Sequence, residues 1–92
     1  MIRIAHWIGG AEHAGTSGRV GPVFNPATGE QVAEVDLASA AEVGAAVATA
    51  ERAARSWRSA SLSRRSAVLF KFRELLNDRK DEVAALLTAE HG

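Results

Sequence analysis

Residues 21–30 read GPVFNPATGE, and they decide the first half of the fold. Asn25 and Pro26 suit the first two positions of a type I turn, because proline presets φ and asparagine can bond its own backbone. Gly29 supplies the positive φ needed to rejoin a strand. On either side, Val20, Pro22 and Phe24, and then Ala33, Val35 and Leu37, alternate with smaller or more polar neighbours. That alternation predicts two strands with these residues on one buried face. The hairpin runs to about Leu37 and then straight into an Ala-rich helix. It carries no nucleophile, metal-ligand set or phosphate loop.

Upstream, Ile2 to Ile8 is expected to form one strand, with Ile2, Ile4, His6 and Ile8 on one face and Arg3, Ala5 and Trp7 on the other. Five glycines between Gly9 and Gly21 predict tight turns and short extended pieces. Downstream, Ser39-Ala40-Ala41-Glu42 is a capping box. It predicts a helix over 39–57, with Val43, Val47, Ala50, Ala54 and Trp57 on one stripe and Ala-rich flanks suited to close approach. Ser61 is the expected cap of a second helix over 62–77, whose apolar face carries Val68, Leu69, Phe72, Leu75 and Leu76. A third, over 79–90, carries Val83, Leu86 and Leu87 and stops at Gly92, a C′ residue that calls for further chain to complete its cap. The fold class is therefore α+β: strands and hairpin over 1–37, and three helices over 38–92, in a single incomplete segment.

Composition supports incompleteness. Of 43 apolar residues, 19 are alanine, leaving 24 larger side chains among 92 residues to form a core. The helices are expected to need another surface, with Val47, Trp57, Leu69, Phe72 and Leu86 incompletely buried in this chain alone. Net charge is zero and names no partner. There is no cysteine, so no disulfide, thiolate site or cysteine nucleophile can arise within the chain. The N-terminus lacks a signal-peptide core. No apolar run approaches the ~20 residues that span a membrane. A cytoplasmic location is the expectation.

Few residues invite chemistry. Gly10, Gly15, Thr16 and Ser17 have the spacing of a phosphate loop, but Thr16 stands where lysine must be, and turns are the plainer reading. His6, His13 and His91 are too scattered for a metal site, and His6 reads as a packed, hydrogen-bonded histidine. Nine of the eleven basic residues lie between Arg52 and Lys80. They could meet nucleic-acid phosphates, yet no aromatic interleaving or recognition helix accompanies them. A solvated helix surface, or one paired with acids elsewhere in a larger protein, is the plainer account.

Taken together, HWIGG, GTSGR, GPVFNPATGE, the A-S-A-A-E-V helix start, VLFKFRELL and the terminal EHG resemble the N-terminal segment of the aldehyde dehydrogenase superfamily. The resemblance covers nearly the whole chain and is strongest to the CoA-acylating methylmalonate-semialdehyde dehydrogenase branch. Gly44 departs from it, since the family more often has a polar helix former there.

This resemblance implies NAD as cofactor and CoA as co-substrate in an intact, homo-oligomeric enzyme. It places the catalytic cysteine, cofactor loop and oxyanion-hole asparagine beyond these residues. No catalytic, cofactor-binding or metal residue is therefore assigned here, and neither NAD nor CoA is expected to bind this chain alone. The implied role is a scaffold that forms part of the α/β cofactor-binding domain of an aldehyde dehydrogenase fold and packs on the remainder of it. The alternative is a stand-alone helical interaction module, with a basic nucleic-acid-binding surface less favoured.

Overall fold

A computed structural model describes residues 1–92. The chain runs β1 (Ile2–Ile4), β2 (His6–Ile8), β3 (Ala11–His13), β4 (Val20–Phe24), β5 (Gln31–Asp36), α1 (Ala40–Ser59), α2 (Leu62–Asp78) and α3 (Lys80–His91). The α+β expectation and its three helices hold.

Strand β5 is the centre of a three-stranded sheet, with β1 parallel on one side and β4 antiparallel on the other. The β4–β5 turn falls where the sequence placed it. The side chain of Asn25 accepts from the N–H of Ala27 at 2.9 Å, its carbonyl accepts from Gly29 at 2.8 Å, and Gly29 has φ 75°.

The facing of β4 differs from expectation. Gly21 lies opposite Val35 and Val23 opposite Ala33. Directly opposed residues share a face, so Gly21 and Val23, not Val20, Pro22 and Phe24, join the better-covered side. Phe24 stays 53% exposed. Pro22 is tolerated because β4 is an edge strand.

The single strand expected over Ile2–Ile8 is in fact two. The chain breaks at Ala5, and β2 leaves the main sheet to pair antiparallel with β3. Each half finds its hydrogen bonds in a different sheet, so the pleat cannot run through. Gly9 and Gly10, with φ 64° and 80°, make the two-residue turn between β2 and β3. This small hairpin lies against α1 on the side of Glu42, Ala46 and Thr49. A Cβ on Gly9 would sit 3.5 Å from the methyl of Thr49. Small side chains on α1 permit that approach.

Capping sets the helix starts. The Ser39 hydroxyl accepts from the N–H of Glu42, and the Glu42 carboxylate accepts from the N–H of Ser39 at 2.9 Å. The Ser61 hydroxyl accepts from the N–H of Arg64 at 3.1 Å. Helices α2 and α3 meet at Arg79, whose guanidinium donates to both Glu82 oxygens at 2.9 and 2.7 Å. At the far end, Gly92 caps α3 with φ 89° beside Pro26 of the β4–β5 turn.

The core is slight. Ala33 and Asp36 are the two buried residues, both on β5. The radius of gyration is 16.9 Å, against about 12 Å for a compact chain of this length. The expected open stripes are open: Val47, Trp57, Leu69, Phe72 and Leu86 are all exposed.

Candidate functional site

One cluster of polar side chains is built by several elements at once, and it lies where β1, β2, β5, the glycine loop and the start of α1 converge. Arg3 sits opposite Glu34 in the parallel β1–β5 register, which puts it on the same face as Asp36. Its Nε donates to Asp36 Oδ1 at 2.6 Å. The other carboxylate oxygen accepts from the Gly15 backbone N–H, also at 2.6 Å. The Asp36 side chain is almost fully shielded, while Arg3 remains open to water. Arg3 first, and then the Gly15 amide, hold the Asp36 carboxyl below the usual carboxylate range; burial works the other way and is outweighed. Asp36 in turn raises Arg3.

Glu42 makes a second clasp. One oxygen closes the capping box with Ser39, and the other accepts from the N–H of Thr16 at 3.1 Å. The Ser39 amide, followed by that of Thr16, lowers the Glu42 carboxyl. Successive amides of the glycine loop are thus turned onto carboxylates of β5 and α1. Gly15 is glycine for want of space. A Cβ there would lie 2.8 Å from Asp36 Cβ and 3.1 Å from His6 Nε2.

His6 is packed, as its position suggested, but its Nε2 is buried without a hydrogen-bond partner. The nearest carboxylate oxygen is Glu42 Oε2, at 3.7 Å. His13 lies opposite His6 across the small hairpin. Both line an open cleft of about 410 Å³ against α1, with Thr16, Glu42 and Thr49. No group of three or more His, Asp or Glu side chains converges to hold a metal ion. His91 lies at the far end of α3.

The loop whose spacing invited a phosphate does not fit one. The amides of Gly15 and Thr16 already face carboxylates, and a second anion there would meet like charge. The Ser39 helix start is closed by Glu42. Neither this loop nor this helix start fits the phosphates of NAD. The basic run over 52–80 lies on α1, on α2 and at the start of α3, where Arg55 and Lys71 pair with acids of their own helices and Arg79, at the α2–α3 junction, pairs with Glu82 of α3.

Sequence reasoning found Ser39 and Glu42 as a cap but missed their link to Thr16, and it missed Arg3 and Asp36 entirely. One signal was available: Asp36 ends the hairpin's second strand, and Arg3 is the only basic residue before the glycine loop.

A strand-and-hairpin arm clasped to a capped helix, followed by two unpacked helices, is the N-terminal part of a known dehydrogenase fold. The aldehyde dehydrogenase family model matches residues 13–92, and the chain belongs to that family. Among curated relatives, malonate-semialdehyde dehydrogenase 3 of Geobacillus kaustophilus is 46% identical over 89 residues, 97% of this chain and 18% of that protein. A solved structure from Sinorhizobium meliloti 1021, assigned as a methylmalonate-semialdehyde dehydrogenase and complexed with NAD, matches with TM-score 0.94 and 48% identity, covering all of this chain and 19% of that one. Methylmalonate-semialdehyde dehydrogenase from Oceanimonas doudoroffii matches with TM-score 0.92 and 40% identity, again over 19% of its length. The chain thus spans about a fifth of the proteins it matches. No helix is long and apolar enough to cross a membrane.

Proposed function

We propose that this chain is the N-terminal scaffold segment of an NAD-dependent, CoA-acylating dehydrogenase acting on methylmalonate semialdehyde or malonate semialdehyde. The intact enzyme works in the cytoplasm as a homo-oligomer. The observation that carries this reading is the match of the whole chain, at TM-score 0.94 and 48% identity, to 19% of an NAD-bound relative. The open apolar stripes on all three helices agree with it, because a scaffold segment keeps such faces for the body it supports.

In this reading no residue of the chain touches substrate. Acyl transfer through a thiohemiacetal needs a thiolate nucleophile, and the chain has no cysteine. NAD, the hydride acceptor, is held by residues outside the segment. Arg3, Asp36, Gly15, Glu42 and Thr16 act by fixing the arm against α1. The α1–α3 faces support the cofactor-binding body. A stand-alone interaction module is the less favoured reading, since it leaves the match to full-length dehydrogenases without a role.

A chimera tests the proposal. The chain replaces the matching fifth of the Sinorhizobium meliloti protein, and NADH formation from methylmalonate semialdehyde is followed with and without CoA. CoA-dependent turnover is expected from the chimera and none from the 92-residue chain. A chimera that does not fold, or that folds without turnover, would overturn the scaffold reading; the substrate it prefers belongs to the body of the Sinorhizobium meliloti protein, which supplies the remaining four-fifths.

A further inference from the structure

Arg65 occupies an unexpected place on α2. It lies at i−3 and i−4 from Val68 and Leu69 and at i−7 from Phe72, so it is on the apolar stripe rather than beside it. Its neighbour Arg64 points elsewhere and is exposed. Arg65 is only partly exposed, and its Nε is buried with no hydrogen-bond partner. Nε is closed off within the chain, whereas the two terminal nitrogens are not and have no hydrogen bond inside the chain, so they are the donors free to meet a partner.

No acid of this chain forms an ion pair with Arg65. Of the nine basic residues over 52–80, three pair with acids three or four residues away, and Arg65 is not among them. Its stripe neighbours Val68, Leu69 and Phe72 are 49%, 63% and 59% exposed and wait for the same cover. That cover is the rest of the dehydrogenase fold, four-fifths of which lies outside the matched segment.

Resting on the scaffold reading, we infer that Arg65 is the charged anchor of the α2 docking face and receives a carboxylate from the body of the enzyme. The surface that covers α2 is therefore apolar with one acidic side chain set to meet Arg65. A planar guanidinium suits such a partner, since it can offer a carboxylate two parallel donors. The apolar surround strengthens the pairing by excluding water.

The chimera tests this by melting temperature, which needs folding but not turnover. R65M keeps the apolar stem and removes the charge; R65K keeps the charge and loses the fork; R64M is the control on the neighbouring exposed position. R65M is expected to lower the Tm by about 3 °C or more, since it strands a buried carboxylate. R65K is expected to recover part of that loss, and R64M to stay within about 1 °C of the parent, as exposed substitutions do. An R65M chimera as stable as the parent, or an R65K chimera no better than R65M, would overturn the inference while the scaffold reading stands. A folded but inactive parent chimera would sink the scaffold reading and, with it, the inference that rests on it. A parent chimera that does not fold overturns both.

Discussion

The Gly15 amide and the Asp36 carboxylate are in hydrogen-bond contact at 2.6 Å, and the loop comes so close to β5 that no side chain fits between them. This contact joins the glycine loop to the central strand, and Arg3 completes it from β1. Gly15→Ala is expected to force the loop off Asp36 and His6. Overpacking of this kind costs about 1–3 kcal/mol. A melt of the chimera measures the loss, and faster exchange of the residue-15 amide locates it. An unchanged exchange rate would mean that the loop yields without breaking the contact.

The same junction predicts an acid limit. Asp36 and Glu42 both have carboxyls held below their ordinary values, by Arg3 and Gly15 in one case and by Ser39 and Thr16 in the other. A group whose folded value is lowered contributes stability above its unfolded value. That contribution is lost as pH falls through the folded value. Protection of the Gly15 and Thr16 amides is therefore expected to be level from pH 7 to about pH 5 and to fall below about pH 4, the ordinary carboxylate range. In Asp36→Asn the Gly15 amide should lose most of this pH dependence while Thr16 keeps it. Protection of both amides that stays level well below about pH 4 would overturn the expectation.

Helix α1 offers two opposite changes. Ser39→Ala removes the hydroxyl that accepts from Glu42 N–H and is expected to cost about 1 kcal/mol. Gly44→Ala should do the reverse. Gly44 is exposed in mid-helix and a Cβ there meets nothing within 4 Å. The gain is about 0.5–1 kcal/mol from the smaller entropy lost on folding. The two sites are five residues apart and share no partner, so in the double variant the effects should nearly cancel. Far-UV circular dichroism of the chain and melts of the chimera both report the sign.

What the sequence made legible was local. The Ser39 and Ser61 caps, the Asn25–Gly29 turn and the end of α3 at Gly92 all depend on residues within a few positions of one another, and each is found where the pattern put it. The polar junction was hidden because Arg3 and Asp36 are 33 residues apart and meet only through the parallel β1–β5 register. The facing of β4 failed for the same reason. Alternation fixes which residues share a face, but only cross-strand pairing fixes which face of β4 joins that of β5. The unbroken Ile2–Ile8 pattern likewise held no sign that its halves belong to different sheets.

The last expectation concerns the chain by itself. Of its 24 large apolar side chains, all but Ile8, Val23 and Val35 are exposed. Helices α1, α2 and α3 keep their backbone bonds and local caps, so helical content should survive in isolation. Side-chain packing has little to hold it, since both buried residues lie on β5 and none on a helix. The isolated chain is therefore expected to give a helical far-UV spectrum, bind a hydrophobic dye, self-associate with rising concentration and melt over a broad range. In the chimera the same segment should lose its dye binding and melt with the whole protein. A sharp transition in a dye-silent monomer of the isolated chain would contradict the scaffold reading, because that chain would have covered its helices without the enzyme body.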